Sequence, residues 1–191
     1  MNSSFNQWAQ KLKEAIDLIS CTEGLQSIPS DLFFQKLTNA TIESADQKVF
    51  LIGNGASSSM ASHIAADLCK NGKVATRCFT DASLLTALAN DIGVEEMFAE
   101  PLRRQASKGD ILVCISSSGK SPNILRAVDV AKEKQLYVVT LSSMSPENPL
   151  RKLGNLNAYI PADTYGFAET AHAAILHYWV DCVIDQITPD K

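Results

Sequence analysis

The sequence predicts an α/β protein, a three-layer sandwich in which a parallel sheet of about five strands lies between layers of helices. Short apolar runs such as Val49–Ile52 alternate with longer segments whose apolar residues recur every three or four positions. The short runs suit strands buried on both faces, and the longer segments suit amphipathic helices. A chain of 191 residues is long enough to bury a core of its own. We therefore expect residues 1–191 to form a single domain.

Two helices are expected before the sheet begins. Between Ser4 and Ser20 the apolar side chains recur at helical spacing, and Ser3 or Ser4 suits the N-cap. A second helix is expected from about Ser30, and no strand is expected before it. Residues 1–46 thus form a helical preface, whose apolar face packs either on another copy of the chain or on the chain's own sheet.

Strands and helices then alternate along the rest of the chain. The predicted strands are residues 49–52, 74–79, 111–115, 137–141 and 158–160. The predicted helices are residues 57–69, 83–88, 95–106, 122–134 and 167–187. This alternation indicates a parallel sheet of about five strands with helices on both faces.

The composition limits the classes of partner. The formal net charge is −4, which leaves no broad basic surface for nucleic acid or anionic lipid. Any bound phosphate must therefore be held by a few local groups, and this points to a small molecule. The five cysteines are scattered without a CxxC pair, a pattern typical of buried thiols in a reducing compartment. No signal peptide or membrane-spanning run is recognisable, so we expect a cytoplasmic protein.

The strongest candidate site is the serine turn, I-S-S-S-G-K-S-P-N at residues 115–123, between a predicted strand and a predicted helix. Ligands of parallel α/β sheets bind at the carboxyl ends of the strands. Backbone N–H groups at a helix start bind anions, and hydroxyl groups add to such a site without any net charge. The hydroxyl groups here belong to Ser116, Ser117, Ser118 and Ser121. This is more serine than a helix cap needs, so we favour a phosphate-binding turn over a polar capped loop.

The glycine loop, G-N-G-A-S-S-S at residues 53–59, also follows a strand and opens a helix. It lacks the third glycine of the dinucleotide fingerprint G-x-G-x-x-G, and no acidic residue lies at the end of the next strand. The phosphate-loop pattern G-x-x-x-x-G-K-[ST] is missing from the sequence as well. We interpret the glycine loop as a second polar wall for the ligand of the serine turn.

All three histidines lie close to carboxylates in helices that flank these loops. His63 and Asp67 are four residues apart, so they share a helix face. In the last helix, Glu169 is within about 80° of both His172 and His177, whereas the two histidines are about 140° apart. Glu169 can therefore work with either histidine, and the sequence leaves open which one faces the site. As a set, these residues favour a catalytic or metal site over separate structural roles.

These features resemble the sugar isomerase (SIS) domain family, and within it the phosphoheptose isomerases. The resemblance covers nearly the whole chain: the helical preface, the glycine loop, A-N-D at residues 89–91, the serine turn, and the acid and histidines of the last helix. It implies isomerisation of sedoheptulose 7-phosphate to D-glycero-D-manno-heptose 7-phosphate through an enediolate. It also implies a flavodoxin-like fold, zinc as the cofactor and a homotetramer with sites at subunit boundaries.

The resemblance assigns roles position by position. The implied zinc ligands are His63, Asp67, Glu169 and His177. The implied proton-transfer residues are Asp67, His177 and Glu169. The implied phosphate and sugar contacts are Asn54, Gly55, Ser57, Asp91, Ser116, Ser117, Ser118 and Ser121. Two positions depart from the family, because Asp67 stands at its glutamate position and Glu169 at its glutamine position.

Two other functions remain open at this point. One is a non-catalytic SIS protein that binds a sugar phosphate or acts as an adaptor for the bacterial replication initiator. In such a protein the phosphate turn would persist while the proton-transfer residues decay. The other is an isomerase of a different sugar phosphate. The presence of His63, Asp67 and His177 favours the phosphoheptose isomerase, and metal content would distinguish it from an adaptor.

Overall fold

A seven-stranded sheet with helices on both faces organises the chain in the computed structural model, which describes residues 4–43 and 46–188. The strands are β1 (Ser20–Glu23), β2 (Gln26–Ile28), β3 (Lys48–Gly53), β4 (Ala75–Cys78), β5 (Ile111–Ser116), β6 (Tyr137–Ser142) and β7 (Leu156–Tyr159). The helices are α1 (Phe5–Asp17), α2 (Ser30–Ile42), α3 (Ala56–Lys70), α4 (Ala82–Asp91), α5 (Glu96–Gln105), α6 (Pro122–Glu133) and α7 (Tyr165–Ile187). None of these helices is both long and apolar enough to cross a membrane.

The five strands β3 to β7 form the parallel part of the sheet, as the sequence predicts. Their spatial order is β7-β6-β5-β3-β4, and every neighbouring pair among them is parallel. The chain moves outward from β3 to β4 and then returns to the other side of β3 to make β5. The strand order therefore reverses between β3 and β5, where ligands bind in sheets of this kind.

A short hairpin in the N-terminal region differs from the prediction. The expectation that no strand precedes the second helix is wrong, because β1 and β2 pair with each other between α1 and α2, and β1 adds antiparallel to β7. The two strands have only four and three residues, and their sequences S-C-T-E and Q-S-I contain no apolar run. The helix before them begins as predicted, with Ser4 capping α1 and Gln7 completing the capping box. The alternative cap, Ser3, lies outside the described residues.

The sheet separates two cores. Along β3 the side chains alternate, so that Val49 and Leu51 join one core while Phe50 and Ile52 join the other. The first core lies under α1, α2, α3 and α7, with the fully buried Trp179 of α7 among its largest members. The second lies under α5 and α6. Burial on both faces explains why the parallel strands are the uninterrupted apolar runs of the sequence.

Asn157 links the hairpin to the parallel sheet through side-chain hydrogen bonds. Its side chain lies in β7, is 1% exposed, and accepts hydrogen bonds from the Thr140 hydroxyl and the Gly154 N–H, both at 2.8 Å. Its amide group donates to Thr22 Oγ1 and to the Gly24 carbonyl, both at 3.1 Å. One buried carboxamide thus joins β6, β7 and the turn of the hairpin.

We expect Asn157→Ala to lower the free energy of unfolding by about 3 kcal/mol or more. Each buried polar group left without a partner costs about 1–3 kcal/mol, and this substitution leaves several. Urea unfolding followed by circular dichroism measures the loss, with Asn6→Ala on the exposed surface of α1 as a control that stays near the wild-type value. An equal effect of the two substitutions would contradict the role of Asn157.

Candidate functional site

The serine turn and the glycine loop leave neighbouring strands at the carboxyl edge of the sheet. The parallel register places Gly53, the last residue of β3, opposite Ile115 of β5. The two loops therefore start side by side, although 62 positions separate these residues in the sequence. Each loop opens directly into a helix, α3 from the glycine loop and α6 from the serine turn. Two helix N-termini thus meet at one edge, where both dipoles favour an anion.

The hydroxyl groups of the serine turn are largely free of partners within the described part of the chain. Ser121 is the N-cap of α6, yet its side chain makes no capping hydrogen bond. Its Oγ lies 3.5 Å from that of Ser116, and Ser118 Oγ accepts only a long contact of 3.3 Å from the Lys120 N–H. Ser117 is 5% exposed, and its buried Oγ has no partner among the described residues. This hydroxyl group is therefore available to hydrogen-bond with a bound ligand.

The β6–β7 connection supports the serine turn from behind. The carboxamide of Asn148 is fully buried, donates to the Ser145 carbonyl at 2.8 Å and accepts from the Arg151 N–H at 3.0 Å. Gly119, at φ +61°, lies so close that a Cβ atom there would be 2.0 Å from Asn148 Oδ1. The sequence analysis missed Asn148; its place just before Pro149 was the available signal of a turn. The shape of the serine turn is therefore fixed by a neighbouring loop.

In the glycine loop, two glycines are required by geometry. Gly55 is the residue before α3 and has φ +56°, a conformation that favours glycine. A Cβ atom at Gly53 would be 2.6 Å from the backbone carbon of Ser57. Ser57 is buried at the start of α3, whereas Asn54 and Gly55 are exposed at the mouth of the site. These residues stand beside the serine turn, and their roles as sugar contacts stay a prediction.

His63, Asp67 and His177, the histidine–aspartate group, meet where α3 packs against α7. As their spacing predicts, His63 Nε2 is 3.3 Å from Asp67 Oδ2, and the rings of His63 and His177 have centroids 5.1 Å apart. One donor atom from each residue lies within 4.8 Å of the others. Two imidazoles and a carboxylate are ligands that suit zinc, and three protein ligands leave a position for substrate. The residues present therefore fit a catalytic metal site.

Glu169 and Asp91, two other predicted site residues, do not belong to the histidine–aspartate group. Glu169 is eight residues before His177 on α7, which is about 12 Å along the helix axis. It is not among the residues whose donor atoms meet. Asp91 is the last residue of α4, and its carboxylate accepts a hydrogen bond from the Asn90 amide at 2.8 Å. None of the residues of α4 is buried, although Leu85 packs against the second core.

The sequence left open whether His172 or His177 faces the site, and the position of His172 decides between them. It is fully buried beneath the serine turn, with Nε2 3.3 Å from Ser143 Oγ, and His177 is the histidine that faces the site. The Ser143 N–H in turn donates to the Ser117 carbonyl at 3.0 Å. Burial lowers the pKa of His172 from 6.5 to about 4, which outweighs a backbone hydrogen bond at Ser142 that raises it. The imidazole is thus a neutral part of the core at pH 7.

The comparisons with known proteins agree with this geometry. A model of the SIS domain family matches residues 35–143, more than half of the chain. The chain belongs to the SIS domain family. It is 32% identical over 179 residues to a phosphoheptose isomerase of Helicobacter pylori, a match that covers 90% of this chain and 89% of that protein. A phosphoheptose isomerase of Helicobacter hepaticus is 30% identical over 96% of this chain and 91% of its own length. Within the SIS family the chain thus belongs with the phosphoheptose isomerases.

Solved structures show the same relationship. The phosphoheptose isomerase of Neisseria gonorrhoeae has a TM-score of 0.78 at 26% identity, and the match covers 94% of both chains. That of Francisella tularensis has a TM-score of 0.81 at 25% identity, over 97% of this chain and all of the other. The fold implied by the sequence resemblance is thereby confirmed across nearly the whole chain.

We expect Gly119→Ala to distort the serine turn, because the added Cβ meets Asn148 and the backbone conformation disfavours any side chain. Affinity for inorganic phosphate should fall by about tenfold or more, and isothermal titration calorimetry measures it. Gly24→Ala is a matched control, since Gly24 also has positive φ, at +54°, but has open space around it. Equal phosphate affinity in wild type and Gly119→Ala would contradict this account of the turn.

The buried His172 predicts a loss of stability in acid. The folded chain keeps the imidazole neutral, so its contribution is fully present above pH 6.5 and is lost as the pH falls toward 4. The loss attributable to this residue is about 3 kcal/mol. Urea unfolding between pH 7 and pH 4 should therefore show a steeper decline for wild type than for His172→Gln. Parallel curves for the two proteins would show that His172 does not control this pH dependence.

Proposed function

We propose that the protein is a phosphoheptose isomerase that interconverts sedoheptulose 7-phosphate and D-glycero-D-manno-heptose 7-phosphate. The observation that carries the proposal is the pairing of two sites on adjoining elements. The serine turn has a buried hydroxyl group without a partner among the described residues, and the helix that leaves the neighbouring loop bears His63 and Asp67. An anion site beside a group of proton-transfer residues suits a phosphorylated substrate whose reacting carbons lie away from its phosphate.

The serine turn would hold the phosphate. Ser117 supplies the buried hydroxyl, Ser116 and Ser121 supply two more, and the first backbone N–H groups of α6 supply the helix dipole. Binding energy at this end orients the reacting carbons at the other end. Ser118 would supply a fourth hydroxyl group to the phosphate. Hydrogen bonds from neutral groups suffice here, so an acidic protein with a net charge of −4 can still bind a dianion.

The histidine–aspartate group would hold zinc through the imidazoles of His63 and His177 and the carboxylate of Asp67. A zinc ion bound there supplies Lewis-acid polarisation of the substrate carbonyl. His63 and Asp67 are separated by one helical turn and His177 comes from a different helix, so the packing of α3 on α7 sets their relative positions. Glu169, the fourth ligand implied by the resemblance, would have to approach from outside this group.

Isomerisation requires one proton to move between neighbouring carbons. A carboxylate, Asp67 or Glu169, removes the proton from C1 of the ketose and returns it to C2 of the enediolate, which gives the aldose. His177 moves the accompanying proton between the two oxygens and assists ring opening. Ser57 and Asp91 would contact the sugar hydroxyls. Because Glu169 is not tied to the histidine–aspartate group, it is free to act as the proton carrier if Asp67 is occupied as a ligand.

The family membership also supports a proposal about assembly and location. We propose a cytoplasmic homotetramer to which residues 1–46 contribute packing surface. Large apolar side chains in this region are exposed, with 77% of Phe5, 66% of Leu18 and 80% of Leu25 accessible. Apolar surface of this kind supports contact with other copies of the chain.

We expect purified protein to convert sedoheptulose 7-phosphate to the aldose phosphate, and to lose this activity on chelation and regain it with zinc. Asp67→Ala should reduce turnover at least 1,000-fold and lower zinc content, while affinity for the sugar phosphate stays within about threefold. These expectations follow from placing Asp67 among the metal and proton-transfer groups and not at the phosphate. A coupled assay for the aldose phosphate, metal analysis and calorimetry supply the three readouts.

Glu169→Gln serves as the companion variant, because it removes the charge but keeps the shape of the side chain. Loss of turnover with unchanged zinc content would assign the carbon-to-carbon proton transfer to Glu169. Full activity in Asp67→Ala would remove Asp67 from the mechanism. Tight binding of the sugar phosphate without turnover, with or without zinc, would favour the non-catalytic members of the family or a different sugar substrate.

A further inference from the structure

Two asparagine side chains join the glycine loop to the serine turn. Asn54 Nδ2 donates to Asn123 Oδ1 at 3.0 Å, and Asn123 Nδ2 donates back to Asn54 Oδ1 at 2.9 Å. Asn54 follows β3, whereas Asn123 lies in the first turn of α6, so the pair closes a gap of 69 residues in the sequence. Among the described residues these are the side-chain hydrogen bonds that connect the two loops.

The pair is well suited to fixing geometry. Each carboxamide contributes its oxygen and one N–H, so two hydrogen bonds join the pair. Two bonds fix the relative orientation of the two amide groups, whereas a single bond would allow rotation about it. Asn123 is 6% exposed whereas Asn54 is exposed, so the two bonds are partly buried, on the Asn123 side. Both groups are neutral, and this matters because an acidic side chain here would place negative charge at the helix start that receives the anion.

The pair also connects the two halves of the site. On one side, Asn123 is fixed to α6 and moves with the serine turn. On the other, Asn54 precedes α3, whose third and fourth turns carry His63 and Asp67, and the Asn54 carbonyl accepts from the Ser57 N–H at 3.1 Å. The separation between the bound phosphate and the proton-transfer residues therefore depends on the separation of these two loops.

We propose that Asn54 and Asn123 act as one unit, an asparagine clasp, whose task is to set the distance between the phosphate and the histidine–aspartate group. Both are positioning residues, and the main role of Asn54 is in the clasp and not in contact with a sugar hydroxyl. The inference rests on the proposed function in one respect, since it takes the serine turn as the phosphate site. A clasp should affect the chemical step more than binding, because a displacement of about 1 Å at the reacting carbons costs about 100-fold in rate.

The test is a double-mutant cycle with Asn54→Ala, Asn123→Ala and the variant carrying both changes. We expect each single change to lower kcat by about 10- to 100-fold, with KM and the Kd for inorganic phosphate within about threefold of wild type. The double variant should lose no more than either single variant, because removing either amide removes the whole clasp. Asn39→Ala, on the exposed surface of α2, is the control and should keep wild-type kcat. Asn54→Ser and Asn123→Ser, whose side chains are too short to span the pair, replace any alanine variant that does not fold.

Two outcomes would overturn the clasp. One is a large rise in KM for Asn54→Ala with Asn123→Ala unaffected, which would make Asn54 a direct sugar contact. The other is additive losses in the double variant, which would mean that the two residues act independently. If wild type binds sedoheptulose 7-phosphate without turning it over, the proposed function fails separately. The same cycle is then measured on the Kd for that sugar phosphate, where non-additive losses support the clasp and additive losses reject it.

Discussion

The parallel pairing of β3 with β5 is the constraint on which the rest of the site depends. Because Gly53 lies opposite Ile115, the glycine loop and the serine turn must begin side by side at one edge of the sheet. The direction of each strand then aims the N-terminus of its following helix, α3 or α6, at the same region. Polar groups that are distant in sequence meet there because backbone hydrogen bonds deep in the sheet hold the strands in register.

The electrostatics of the site explain how an acidic protein accommodates an anion. The serine turn offers neutral donors and a helix dipole, while its supporting residues Asn148, His172 and Asn123 carry no charge at pH 7. A buried cation near the turn would add attraction but would have to be desolvated, and neutral buried groups avoid that cost. The candidate metal ligands His63, Asp67 and His177 lie apart from the serine turn, on the partly exposed surface between α3 and α7. In the proposed function, one end of the site would hold the phosphate and the other would move protons.

The sequence predicts those features of the fold and site that depend on residues close together in the chain. The buried strands, the serine turn and the shared face of His63 and Asp67 follow from patterns within a few residues. The β1–β2 hairpin was not predictable, because its strands are short and their stability comes from β7 and Asn157, which lie more than 130 residues away. The same reason hid the support by Asn148. The meeting of His177 with His63 was expected only from the family resemblance, because no local pattern in the sequence connects the two residues. Contacts of this kind exist only after the sheet has formed.

The hairpin has a further effect on how copies of the chain can associate. By adding antiparallel to β7, it occupies the edge that the parallel sheet would otherwise offer to a partner strand. The sheet now ends at β2 and β4, which have three and four residues and present few free backbone groups. Edges this short are poor templates for edge-to-edge pairing. Growth of the sheet from one molecule into the next is thereby discouraged.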